Sequence, residues 1–441
     1  MSLPRVLLIT HNVISQNNNM GKTLAGLFEN WDSDCLFQLY FHSDAPNMNI
    51  AGKYYKFTDV DALKSIFSSK NKGTLFLAED LSDKNSEISD FERNENSFSK
   101  AYSYGHKHKG SMQYFLRNTV WSLSRWCSDK LIKQISDFKP DIILFACGDY
   151  AFSYKIVYKL SCIFNIPATM ICYDDYYINH EKKPFSFLYN YTYNNLMKWA
   201  KKVSSRSDAM LTICNSMSRD YSKLFGIKCY EMYTPSSEFE NYNSEEKHGF
   251  SYMGNLGINR YKSLIKLGQA VKKVTGELIN VYSAEDDDKI ISQMTEENGL
   301  RFLGKVSSEE VKEIMQKSLF VIHTEAFDRQ SINRVRYSVS TKIADSLNCG
   351  TCILAYGSKE VASIDYLITT ESACVITEDD NIEDKILQIF NSEEMRNRYI
   401  KNAKELSEKN HNSKINHEKL SRILQGSADR FNKNSDKSVI L

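Results

Sequence analysis

The chain has little proline, 6 in 441 residues, and almost no net charge, +1 from 56 basic and 55 acidic side chains. So small an excess of one sign produces no global field, and nucleic acid is not expected as the partner. No run of 18 apolar residues occurs, which leaves no candidate membrane-spanning helix. The start, "MSLPRVLLITHNVIS", has one Arg and a short apolar run broken at His11 and Asn12, unlike a secretory signal. A cytoplasmic location is expected, with the 10 cysteines as reduced thiols.

Metal and redox motifs are also lacking. Cys349 and Cys352 form a C-x-x-C that closes a helix and begins a strand, whereas a redox pair opens a helix. No second pair completes a zinc site. Cys147, Cys162, Cys172 and Cys214 lie in apolar runs and are expected as small core hydrophobes. The D-x-D patterns at Asp32–Asp34, Asp59–Asp61 and Asp286–Asp288 do not follow strands, so no metal site is expected. Gly21-Lys22-Thr23 resembles the end of a phosphate-binding loop, but Gln16 stands where its first glycine belongs.

What is present is an alternation of short apolar runs and longer helical patterns. "VLLIT", "DIILFAC", "PATMICY" and "DAMLTIC" are each followed by an amphipathic stretch, the pattern of a parallel sheet built from βαβ units. "TPSSEFENYNSEEKHG" (234–249) has almost no aliphatic residues and reads as a linker. After it the alternation restarts with "FSYMGNLG", "ELINVYS", "LRFLGKV", "LFVIHTE", "CILAYG" and "ACVIT", and a helix is expected near 286–298. The expected class is α/β: two doubly wound, Rossmann-like domains at 1–235 and 236–407, with a cleft at the carboxyl ends of their sheets. Residues 70–110 read as a loop or insertion, a helix near 408–424 as packing back on the first domain, and 425–441 as a disordered tail. The richness in Asn, Lys, Ile and Tyr suggests an AT-biased bacterial genome.

Four constellations carry chemistry. In "RYSVSTKIADSLNCGTCILAYG", Ser340 or Thr341 is a candidate N-cap of a helix beginning at Lys342. A helix start with a lysine at its mouth is an anion site, and Asp345 one turn further in could bind sugar hydroxyls of the same ligand. In "SYMGNLGINRYKSL", Gly254 and Asn255 form a strand-to-helix turn, and Arg260 and Lys262 open the next helix as partners for phosphate. In "THNVISQNNNMGKTLAG" (10–26), an Asn-rich loop closed by Gly21 at the helix start lines the expected cleft, with His11 and Asp149 as acceptor-side candidates. In "ICYDDYYINHEKK", Asp174 is the candidate general base just past a strand end, with Asp175 read as a capping residue of the loop. The aromatic and basic segment 185–208 fits either a core helix with a basic outer face or peripheral membrane contact.

Taken in order, these motifs, with "SDAMLTICNSMSRDYSKLFG" ahead of the linker, resemble the GT-B glycosyltransferases, and among them glycosyltransferase family 4. The likeness runs over roughly residues 4–424. It implies transfer of a sugar from a UDP- or GDP-linked donor to a glycan or lipid-linked acceptor, without a cofactor or a required metal. It places the donor diphosphate at Arg260, Lys262 and Lys342 and the ribose at Asp345. The family's first glutamate of its E-x7-E pair falls on Tyr337, with Glu325 in "VIHTEAFDR" as the expected substitute, and its His-Asp pair appears as Tyr173-Asp174. The competing reading is a GT-B-shaped binding protein without turnover. A phosphorylase would need a pyridoxal-bearing lysine motif, and none is present.

Overall fold

A computed structural model describes residues 3–15, 19–68, 73–81, 110–179, 186–239 and 247–439, with backbone alone for Asn19 and 434–439. It divides into two compact units, Met1–Met232 with Asn416–Leu441, and Tyr233–Ile415. The junctions therefore fall at 232/233 and 415/416, against the expected 235/236 and 407/408.

Among the described residues of the first unit, eight strands form one sheet in the order β4-β3-β2-β1-β5-β6-β7-β8. They are β1 Val6–Thr10, β2 Leu36–Tyr40, β3 Lys53–Lys56, β4 Thr74–Leu77, β5 Ile142–Ala146, β6 Ala168–Cys172, β7 Ala209–Thr212 and β8 Lys228–Glu231. All neighbours pair parallel except β3 and β4. Central strands covered on both faces must be apolar throughout, and "VLLIT" and "IILFA" are buried at every position. The stretch expected as a loop at 70–110 contributes β4 and the helix Ala78–Leu81. Residues 82–109 lie outside the described residues, as do 16–18 of the Asn-rich loop and 240–246 of the linker.

The second unit's described strands are β9 His248–Met253, β10 Ile279–Tyr282, β11 Leu300–Gly304, β12 Ser318–Thr324, β13 Cys352–Tyr356 and β14 Cys374–Ile376. Their order is β11-β10-β9-β12-β13-β14, all parallel. In each sheet the winding reverses once, between β1 and β5 and between β9 and β12. Such a reversal opens a crevice at the carboxyl ends of the two strands, because their following helices leave on opposite faces. The helix expected at 286–298 is shorter, Asp288–Ile291. Gly299 (φ +74°) abuts the Gly268 backbone so closely that a Cβ would stand 2.0 Å from Gly268 O, so this loop and the helix Arg260–Thr275 meet at two glycines.

Two expectations fail here. The tail is no loop: the last helix runs Ser413–Val439. Asn416, Leu420, Ile423, Leu424, Ser427 and Ala428 are buried at helical spacing, and Asp208 accepts from Ser427 Oγ and pairs with Arg430. Cys147, Cys172 and Cys214 are buried as read, but Cys162 is exposed, on the outer face of the helix Ala151–Phe164. All ten cysteines are free thiols.

His411 fastens the two ends of the second unit. Its ring is 1% exposed; Nδ1 donates to Thr234 O at 2.7 Å and Nε2 accepts from the Tyr366 hydroxyl at 3.0 Å. Burial lowers its pKa from 6.5 to about 4, so the unfolded chain binds a proton at pH values where the folded one does not. The stability from the neutral ring is fully present above pH 6.5 and is lost as pH falls toward 4, about 3 kcal/mol across that window. In thermal denaturation followed against pH, His411→Gln is expected to flatten the wild-type fall between pH 6.5 and 4. A wild-type profile that is already flat would refute the buried neutral ring.

Candidate donor and acceptor sites

At the β9/β12 reversal the chain leaves β9 through Gly254 and Asn255. Asn255 Oδ1 accepts from the Gly257 N–H at 2.6 Å, which tightens the turn. Ile258 and Asn259 then follow in the left-handed region, each at φ 56°. A β-branched residue there stores on the order of 1–2 kcal/mol of strain. Asn259 holds the conformation by donating to Asp328 Oδ2 (3.0 Å) and Ser331 Oγ (3.2 Å). Asp328 in turn caps the helix Arg329–Val335. The loops after β9 and β12 are thus stitched together.

Arg260 opens its helix, but it is not directed at open solvent. Its Nε and one terminal nitrogen donate to the two carboxylate oxygens of Glu325, at 2.9 and 3.1 Å. Glu325 is 2% exposed, and Ser263 Oγ donates to its backbone carbonyl at 2.9 Å. Burial raises the Glu325 pKa, against the pull of Arg260 and Lys342. His323, two residues earlier, has Nε2 3.1 Å from Ser363 Oγ and 3.8 Å from Glu325 Oε1. Burial, with Arg260 and Lys342 nearby, lowers its pKa to about 3, so the ring is neutral and the charge paired directly with Glu325 is that of Arg260.

Lys342 lies on the first turn of the helix Thr341–Asn348, exposed in area yet close enough to feel Arg260, Glu325 and Asp345. Desolvation and then Arg260 lower its pKa. The structure therefore brings Arg260, Glu325 and Lys342 into one electrostatic group. Ser340 occupies the N-cap position without a capping bond from its side chain, and Thr341 is the exposed first residue of the helix. Lys262 is exposed in the first turn of its own helix, with Nζ 5.7 Å from the Tyr261 ring centre. Tyr337, at the place of the family's first acid, is 2% exposed.

Two expected roles need correction. Glu325 faces Arg260 from a buried position, so it is a counterion rather than a group presented to a substrate. Asp345 Oδ1 accepts from the Ser237 N–H at 2.7 Å, while Asn348 Nδ2 donates to Ser237 O at 3.0 Å. The carboxylate expected to bind ribose thus anchors the linker backbone, which leaves Oδ2 as its remaining acceptor.

In the first unit the β1/β5 reversal gathers a second set. His11 follows β1, with its ring 6.1 Å from Tyr150 and 5.8 Å from His42. Tyr150 stacks on Tyr114 at 4.9 Å, and Tyr114 Oη donates to Asp149 Oδ2 at 2.5 Å. The Arg117 guanidinium lies 3.9 Å over Tyr150 and pairs with Asp59 at 2.9 Å. Burial and Asp149 push the Tyr114 hydroxyl pKa up, which keeps it a neutral donor. Asp174 is exposed beyond β6, and burial, then the nearby Asp174 and Asp149 charges, raises the Tyr176 hydroxyl pKa. Asp175 caps its loop, accepting from the N–H groups of Tyr177, Ile178 and Asn179 and from Tyr221 Oη. Gly21 is buried in the first turn of the helix Asn19–Phe28, at the helix start where it was expected. Tyr114, Arg117 and Tyr150 were not singled out from the sequence; no local motif marks them, because Tyr114 and Asp149 are 35 residues apart.

Residues 266–421 match a family model described as glycosyl transferase-like. Over the whole chain the solved structure of HepE from Anabaena, in complex with UDP, superposes with a TM-score of 0.61 at 11% identity, covering 96% of this chain and 100% of that one. The chain has the GT-B fold. Sucrose-phosphate synthase of Thermosynechococcus elongatus gives 0.58 at 10% identity over 96% and 98% of the two chains. WaaG, a glycosyltransferase of lipopolysaccharide biosynthesis, gives 0.52 at 10% identity over 96% and 100%. No curated protein matches by sequence. Among the described residues no group of three His, Cys, Asp or Glu side chains could hold a metal ion, and no helix is long and apolar enough to cross a membrane.

The Arg260–Glu325 pair is open to a direct test. With side-chain exposures of 18% and 3%, Glu325→Ala would leave a largely buried guanidinium without its counterion. The expected loss is about 3–5 kcal/mol, read as a lower denaturant midpoint, with Glu325→Gln losing less. An unchanged midpoint in Glu325→Ala would show that the pair is not formed in solution.

Proposed function

We propose that the protein is a glycosyltransferase that moves a sugar from a nucleotide-sugar, UDP-linked in the first instance, to a hydroxyl of a glycan or lipid-linked acceptor. The observation that carries this reading is the grouping of Arg260, Glu325 and Lys342 at the carboxyl ends of β9 and β12. Two cations, one fixed by a buried carboxylate and one at a helix start, suit a diphosphate that gains charge as the sugar leaves. The match to a glycosyl transferase-like family includes Lys342, and the UDP and UDP-glucose held by HepE support the choice of nucleotide.

On this reading the Arg260 guanidinium and Lys342 ammonium bind the diphosphate, with Lys262 adding charge from its exposed position. Gly254 and Asn255 let the donor approach the backbone after β9. Asp174 is the proposed base for the acceptor hydroxyl, with His11, Asp149 and the Tyr114–Tyr150 stack as a platform for a sugar ring. A retained metal is not needed where fixed cations neutralise the leaving group. The family 4 assignment, hexose transfer, bacterial surface polysaccharide as the product, and work at the inner face of the cell membrane belong to the same proposal. Arg260 and Asp345 already hold intramolecular partners, which favours a binding protein without turnover as the second reading.

Incubation with UDP-, GDP- and ADP-sugars, followed by assay of nucleotide release, separates the two. UDP release is expected, undiminished by EDTA and lowered about 100-fold or more by Lys342→Ala, the scale of removing one group that stabilises developing charge. Donor binding without release would favour the second reading. Absence of both binding and release, or an inert Lys342→Ala substitution, would refute the proposal.

A further inference from the structure

The four tryptophans of the chain are unevenly placed. Trp31 packs in the first unit's core, while Trp121, Trp126 and Trp199 line one open depression of about 430 Å³. Its walls come from the helices Ser111–Leu123, Ala151–Phe164 and Phe187–Ser204 and the turn carrying Trp126. Trp121 stacks on Phe152 at 4.2 Å and 10° and forms the floor. Trp126 and Trp199 are partly exposed, and lysines lie against both: Lys159 Nζ is 5.3 Å from the Trp126 ring centre, and Lys202 and Lys155 Nζ are 4.5 and 5.5 Å from that of Trp199.

Among the described residues, none of these lysines is in an ion pair with an acidic side chain; the ion pairs of this unit lie elsewhere, at His42–Asp44, Arg117–Asp59, Arg219–Asp220 and Arg430–Asp208. Lys155 instead donates to Ser122 Oγ at 2.9 Å, and burial together with Lys198 lowers its pKa. Indole faces hold these ammonium groups weakly, by about 0.5–1 kcal/mol at exposed sites, so an anion can draw them off and free the rings. Lys155, Lys159 and Cys162 lie 4 to 11 residues along the helix Ala151–Phe164, roughly 6–17 Å from the end nearest β5. The depression is therefore on the outer helical layer and not at the strand ends that carry the candidate acceptor site.

We propose that this depression is a second binding site, for an anionic saccharide: a hexose phosphate or a hexuronate. The phosphate or carboxylate sits between Lys155 and Lys159, which line the depression, with Lys202 adding charge from behind the Trp199 ring, and the apolar C–H face of the pyranose packs on Trp126 or Trp199. The volume lies within the range of small-ligand pockets. Neither the charge nor the aromatic walls suffices alone. A neutral sugar leaves the lysines unmatched, and inorganic phosphate leaves the indoles uncovered.

Intrinsic tryptophan fluorescence of the full chain reads the site directly, since three of its four tryptophans line it. Titration with glucose 6-phosphate and with glucuronate is expected to give saturable change, at least 10-fold tighter than with glucose or inorganic phosphate. Lys159→Ala, at an exposed position, and Lys155→Ala/Lys159→Ala are expected to weaken that response 10-fold or more while leaving nucleotide release from UDP-sugars unchanged. The fluorescence arm does not require turnover, so it stands or falls apart from the proposed function. Three results would overturn the proposal: no saturable change, equal responses to glucose 6-phosphate and inorganic phosphate, or wild-type affinity in the double variant. A response only to vesicles of phosphatidylglycerol would also overturn it, assigning the surface to lipid through exposed Leu123 and Ile163.

Discussion

Parallel strands cannot be joined by a tight turn, and this constraint organises the molecule. Every link between neighbouring parallel strands must run back over a face of the sheet, and in each unit most links do so as helices. The strands' carboxyl ends therefore share one edge, and wherever the strand order reverses, the loops there diverge and leave room between them. Both reversals, β1/β5 and β9/β12, coincide with the two densest collections of polar and aromatic side chains described above. His11, Asp149 and Tyr150 are close because β1 and β5 are neighbours. Arg260 and Glu325 are close because β9 and β12 are. His11 is far in sequence from Asp149 and Tyr150, as Arg260 is from Glu325.

This explains how much could be read from the residues. The alternation of apolar runs and amphipathic stretches is local, and it gave the two-sheet α/β class and the strands. The helix start at Lys342 and the cations after β9 were legible for the same reason, since glycine, hydroxyl and lysine spacing expresses them within a few residues. What failed was non-local. Asp345 looked like a ligand group because its partner, the Ser237 N–H, is 108 residues away. Glu325 looked available because Arg260, 65 residues earlier, could not be placed against it.

Two other misreadings had local causes. Cys162 lies in a continuous apolar run, but a helix of mixed apolar and basic residues must turn some of that run outward. The chain from 425 onward looked disordered because "GSADRFNKNSDK" is polar. Its buried residues nonetheless keep the i, i+3, i+4, i+7 spacing through Ala428, and Asp208 supplies a partner that the sequence cannot show nearby. A polar stretch that holds helical spacing is a helix when another surface is there to receive it.

The charges at the β9/β12 reversal point to a division of labour. Glu325 is buried deeply enough that burial raises its pKa, and such a carboxylate is stable as an anion only beside a fixed cation. Arg260 is that cation, held in a two-bond fork that permits little reorientation. Once paired, the two nearly cancel at a distance, and His323 adds no charge because its surroundings keep it neutral. The remaining cation is Lys342, whose pKa is lowered by desolvation and by Arg260 against the opposite pull of Glu325 and Asp345. On the proposed reading, an arriving diphosphate would offset the repulsion between Lys342 and Arg260 at the start of that helix. It would gain less from Arg260, which would have to share its donors with Glu325. The buried pair therefore joins the loops after β9 and β12, and on the proposed reading Arg260 would meet the diphosphate from that fixed position while Lys342 adds its charge from the helix start.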